Sequence, residues 1–124
     1  MERKKAQSFT DLLVWQKAHE LVLFIYKITK QFPSEEKFGL TTQFRRAGIS
    51  IAANISEGFK RRHKKEKLHF YNIAQGSLEE CRYYFILSKD LTYIDTATDL
   101  EGMELIENVS RLLNSYCEGL IENY

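Results

Sequence analysis

A single proline, Pro33, interrupts this 124-residue chain, and only six glycines accompany it. A chain so poor in helix breakers can carry long helices. It cannot supply the punctuation of a loop-rich sandwich, a collagen or a disordered linker. The apolar residues agree: Val14, Trp15, Ala18, Leu21, Val22, Ile25, Ile28 and Phe32 recur at the three-and-four spacing of one helix face.

Stop and start signals divide the sequence into four helices, expected at about 11–31, 40–58, 65–91 and 97–123 within one domain spanning 1–124. Ser8, Thr10 or Asp11 can cap the first, and Pro33 ends it by disfavouring helix at Phe32. Ser34 is a possible next cap, with Glu35 and Glu36 suited to the positive end of a helix dipole. The second helix carries the apolar stripe Phe44, Ala47, Ile51 and Ile55, and Gly58 is placed to close it in a left-handed conformation. In the third, Phe70, Ile73, Ala74, Leu78, Cys81, Phe85 and Leu91 are the core candidates. The fourth, capped by Asp95 or Thr96, offers Met103, Ile106, Val109, Leu113, Tyr116, Leu120 and Ile121. Four helices of this length joined by short connections predict an all-α fold, an antiparallel up-down-up-down four-helix bundle.

Some apolar surface exceeds what one bundle buries. Residues Leu21 to Tyr26 are apolar around most of the helix, and helix three adds Tyr71, Tyr83, Tyr84, Ile86 and Leu87. Helices apolar on nearly all sides bury more than one side, so self-association is expected.

No window nears the roughly 18 consecutive apolar residues of a membrane span, and the basic start is not followed by a signal-peptide core. Two cysteines, Cys81 and Cys117, are too few for a disulfide framework or a Cys-only zinc site. They read as packing residues of a protein in the reducing cytoplasm, without membrane contact.

Charge is unevenly spread behind a net value of +1. Residues 1–89 hold 17 Lys and Arg against 9 Asp and Glu, whereas 90–124 hold one Arg against 8 acids. The densest run is Lys60, Arg61, Arg62, Lys64, Lys65 and Lys67. The negative end of helix two accounts for its first half. Its second half sits at the positive end of helix three, where a cation is mildly disfavoured, and this points to a phosphate partner. In an up-down-up-down bundle the N-terminal Arg3, Lys4 and Lys5 share that end. Glu57, Glu66, Glu118 and Glu122 dilute it, and Glu35, Glu36, Asp90, Asp95, Asp99 and Glu101 gather at the other.

A second constellation is polar. Arg46, Ser50, Asn54 and Glu57 form a stripe on helix two, and Ser77 and Glu80 face it from helix three. An Arg46–Glu80 pair and a Ser50/Asn54/Ser77 hydrogen-bonded set would make a buried structural network fixing register or a subunit interface. Gly48, Ala52, Ala53 and Gly76 would allow close helix approach. Catalytic and metal-site patterns do not emerge. His19, His63 and His69 lack a His-Glu-x-x-His spacing, and there is no Cys-x-x-Cys, phosphate loop or nucleophile elbow. Neither catalytic residues, metal ligands nor a cofactor are therefore assigned.

Three stretches together resemble a known bacterial family: Asp11 to Ala18 (DLLVWQKA), Gln43 to Gly58 (QFRRAGISIAANISEG) and Ile73 to Glu80 (IAQGSLEE). The chain resembles the small four-helix bundle proteins encoded by intervening sequences in 23S rRNA genes. The resemblance implies a ring-like homopentamer. It also implies kinship with the accessory protein of diversity-generating retroelements, a strongly basic pentamer that binds nucleic acid and reverse transcriptase. The leading expectation is a non-enzymatic oligomeric scaffold or adaptor that binds RNA or DNA through a basic rim. The alternative is a protein-interaction module without nucleic-acid binding, and a weaker one is a small enzyme using the Arg46/Asn54/Glu57/Glu80 stripe.

Overall fold

A computed structural model describes residues 5–122, with four helices and no strand among them. They are α1 (Leu13–Thr29), α2 (Leu40–Lys60), α3 (Lys64–Asp90) and α4 (Thr96–Glu122). Each packs against its sequence neighbours and α1 closes on α4, as in a square bundle, while the Phe24 ring of α1 reaches the Phe85 ring of α3 across the diagonal at 6.2 Å. Side-chain contacts fix the directions. Gly48 of α2 meets Ile25 of α1, Ser77 of α3 bonds Ser50 of α2, and Gln75 of α3 bonds Asn114 of α4. Neighbouring helices are thus antiparallel.

Helix ends depart from the sequence reading for local reasons. Ser8 and Asp11 form a capping box, but it is spent on a 3-10 turn (Phe9–Asp11), so α1 begins at Leu13. Pro33, not Ser34, opens a second 3-10 turn (Ser34–Glu36). Glu36 Oε1 instead accepts from the Leu40 N–H at 3.2 Å and caps α2. Gly58 is no left-handed terminus: no described glycine has positive φ, and α2 continues to Lys60. Asp95 does cap α4, accepting from Thr98 N–H at 2.8 Å, and these bonds hold its carboxyl below the ordinary value.

The core runs through all four helices, from Val14, Ala18, Leu21 and Ile25 to Phe44, Ile51 and Ile55, then Leu78 and Phe85, then Ile106 and Leu113. On α3 the inward face is Tyr71, Ala74, Leu78, Cys81 and Phe85, a strict three-and-four alternation. Tyr71, assigned above to an outer set, is fully buried, while the core candidates Ile73 and Leu91 are exposed. Two residues of helix turn the side chain by about 200°, which puts Ile73 opposite Tyr71. Ile121 of α4 is likewise exposed.

Candidate nucleic-acid interface

Antiparallel order places residues 5–12 beside the α2–α3 connection, where Phe9 and Phe59 line one cleft. The other two connections meet at the opposite end, where Tyr93 donates to Glu36 Oε2 at 2.8 Å. That end carries the acids Glu35, Glu36, Asp90, Asp95, Asp99 and Glu101.

The connection Arg61–His63 is only three residues long, so cations from two helix ends crowd together. Lys60, Arg62 and Lys65 are exposed and form no ion pair among the described residues, and Lys5 is exposed at the same end. Arg61 is engaged: it pairs with Glu57 Oε2 at 2.9 Å and lies 4.8 Å over the Phe70 ring. Lys64 is half-buried at the start of α3. Arg3 and Lys4 lie outside the described residues. Lys67 differs from the expected phosphate-facing cation, because its place at the positive end of α3 has an internal explanation. Its Nζ reaches back to the carbonyls of Phe59 (2.8 Å) and Gly58 (3.2 Å), satisfying acceptors at the negative end of α2. Burial lowers its pKa.

The polar stripe divides in two. Ser77 Oγ donates to Ser50 Oγ at 2.8 Å, and Asn54 Nδ2 donates to Ser50 Oγ at 3.0 Å and to its carbonyl at 2.8 Å. Arg46 and Glu80 are exposed and unpaired with each other, against the expectation of a buried pair. They sit about 40–60° further round their helices than Ser50 and Ser77, away from the core. With Gln43, Ala47, Ser50 and Ser77 they frame a groove of about 330 Å³. Glu57 is exposed and serves Arg61.

An aromatic ladder rises at the basic end. Phe9 meets Trp15 edge-on at 5.1 Å, and Trp15 stacks on exposed His19 at 5.1 Å with an interplanar angle of 7°. Beyond Phe9 opens the cleft, about 630 Å³, bounded by Gln7, Phe9, Ala53, Phe59 and Lys60.

Residues 10–115 match the family model of the 23S rRNA-intervening sequence protein. The chain belongs to this family. Its fold is also that of a crystal structure from Bacteroides thetaiotaomicron VPI-5482, a protein with unknown function from the S23 ribosomal protein family. The two are 23% identical with a TM-score of 0.78, over 86% of this chain and 96% of that one. No curated protein matches the chain.

The matched span includes the α2–α3 seam and the connection Arg61–His63. Close approach there depends on glycines that spacing alone did not single out for packing. A Cβ at Gly58 would stand 2.4 Å from the Tyr71 ring in that seam, and one at Gly102 of α4 would stand 2.3 Å from Phe85 in the α3–α4 seam. Gly48 does the expected work, 2.9 Å from Ile25, whereas Gly76 and Ala53 are exposed and bring no helices together within the chain. The Phe9–Trp15–His19 ladder was also missed. Its only sequence signal is the four-residue spacing of Trp15 and His19 behind a capped turn. Cys81 and Cys117 are both buried and free, and burial, aided by the Glu80 charge, pushes the Cys81 thiol up to about 12. Among the described residues no His, Cys, Asp and Glu side chains group to hold a metal, and no helix is long and apolar enough to cross a membrane.

Proposed function

We propose that this protein is a non-enzymatic, cytoplasmic scaffold that binds RNA or DNA phosphates through its basic end and assembles as a ring-like homopentamer. The observation carrying this reading is the uncompensated trio Lys60, Arg62 and Lys65, drawn together by a three-residue connection. Unpaired cations held this close repel one another, and a phosphate relieves that repulsion while gaining charge-assisted hydrogen bonds. Lys5, exposed at the same end, adds positive charge. The pentamer is supported by apolar side chains left on the outer faces, among them Leu23, Ile49, Tyr83 and Ile86. In a cyclic assembly the basic ends share one rim, so weak phosphate contacts act together. The hydrogen-bonded set of half-buried Ser50 and Asn54 with buried Ser77 fixes helix register, and Arg46 and Glu80 have their place at a subunit boundary.

Charge reversal tests the reading. A Lys60→Glu, Arg62→Glu, Lys65→Glu variant should lose binding to short RNA and DNA while keeping the parent's helicity and mass. Sedimentation equilibrium should give about five times 14.6 kDa for both proteins. A stable monomer at micromolar concentration contradicts the assembly. One observation favours a second reading, in which the protein docks another protein: Phe38, at the acidic end, is 89% exposed.

A further inference from the structure

The cleft at the basic end has the chemistry of a nucleotide site. Its volume, about 630 Å³, lies within the range of small-ligand sites, roughly 300–1,000 Å³. Two half-buried rings, Phe9 and Phe59, contribute walls. Both rings are held before any ligand arrives. Phe9 leans on Trp15, and the Lys67 ammonium sits 5.5 Å over Phe59 while bonded to the α2 carbonyls. A prepositioned ring loses little freedom when a base stacks on it.

Polar groups complete the complement of a nucleotide. The Gln7 side-chain amide, with a donor and an acceptor, has no hydrogen-bond partner among the described residues, and its backbone N–H alone is used, by Asp11. The Lys60 ammonium lines the cleft without an ion pair. Glu57 also borders it, but its carboxylate is paired with Arg61, which offsets its repulsion of a phosphate. Exposed Ala53 keeps the floor low.

Aromatic walls, an amide able to meet a base edge, and a cation for the phosphate describe one unpaired nucleotide. A base inside a duplex is stacked on both faces and cannot enter. We propose that this cleft takes one base of a single-stranded nucleic acid, stacked on Phe9 or Phe59, with its phosphate on Lys60. The inference rests on the nucleic-acid reading above and adds a preference to it: single strands over duplexes.

The test compares the parent with Ala53→Trp, which fills the cleft from an exposed position, and Phe59→Leu, which keeps apolar bulk and removes the ring. Fluorescence anisotropy with a labelled adenine oligonucleotide and with a duplex of equal length reads both modes at low salt. Each variant should bind the single strand about tenfold more weakly, the loss of one stacked base, and bind the duplex as the parent does. In the parent, emission from Trp15, the one tryptophan, should change as the adenine strand binds, because Phe9 couples it to the cleft. If both variants hold the single strand as tightly as the parent, or lose duplex binding equally, the cleft is not a base site and the phosphate-binding reading stands. If the parent binds neither strand, both readings fall together.

Discussion

Gly58 of α2 lies so close beneath Tyr71 of α3 that a Cβ added to it would stand 2.4 Å from ring atom Cε1. Tyr71 is fully buried and meets Tyr116 of α4 edge-on at 5.3 Å, so the ring has nowhere to retreat. Gly58→Ala should therefore destabilise the protein by about 1–3 kcal/mol despite the better helix propensity of alanine. Gly76→Ala is the control. Nothing lies within 4 Å of its added Cβ, so it should be neutral or stabilise by up to about 1 kcal/mol. Urea denaturation of the two variants against the parent checks the pair.

The α2–α3 seam makes a second contrast. Ser77→Ala removes a buried donor to Ser50 and should cost about 1 kcal/mol. Arg46→Ala and Glu80→Ala should each change the stability of the isolated bundle by less than about 0.5 kcal/mol, because both side chains are exposed there. Thermal melts under conditions that hold oligomeric state fixed measure all three.

Lys67 and Lys65 separate structure from binding. Lys67→Met removes the ammonium donor from the Phe59 carbonyl, leaves the Gly58 carbonyl to the Arg61 N–H alone, and should lower stability by about 1 kcal/mol. Lys65→Met should leave the melt unchanged and weaken nucleic-acid binding. Circular-dichroism melts and anisotropy titrations on the same preparations distinguish the two roles.

Alkaline pH reads the burial of Cys81. The folded thiol keeps its proton up to about 12, against an ordinary value of 9.0. Above pH 9 the unfolded chain therefore binds fewer protons than the folded one. The thiol's contribution is fully present below pH 9 and declines between pH 9 and 12, by up to about 1.4 kcal/mol per unit. Cys81→Ala loses packing at neutral pH but escapes this decline, so its stability gap to the parent should narrow as pH rises. Denaturation midpoints across that window provide the measurement, and a gap independent of pH would contradict the shift.

Four helices were legible because Val14, Ala18, Leu21 and Ile25, like their counterparts on α2 and α4, repeat at a helical period between clear stops. Their ends were less so. The Ser8 cap belongs to a 3-10 turn, and Gly58 owes its place to the Tyr71 ring, a tertiary contact invisible in local sequence. Spacing placed Ser50, Asn54 and Ser77 together correctly. It carried Arg46 and Glu80 with them, because a stripe drawn at one-turn intervals ignores the drift that takes each further from the core. The basic run was legible as charge, but not that Lys67 and Arg61 are occupied within the chain.

The salt dependence of nucleic-acid binding tests the central claim most directly. Anisotropy titrations of a labelled single strand and of a duplex over a range of salt concentrations give log–log slopes. If Lys60, Arg62, Lys65 and their neighbours neutralise phosphates, the slope should be about −0.9 per phosphate on duplex DNA and about −0.7 on a single strand. It should flatten by about one phosphate's worth in Lys65→Met, which removes a single cation. Failure of the parent to bind at low salt, or binding insensitive to salt, would contradict the account.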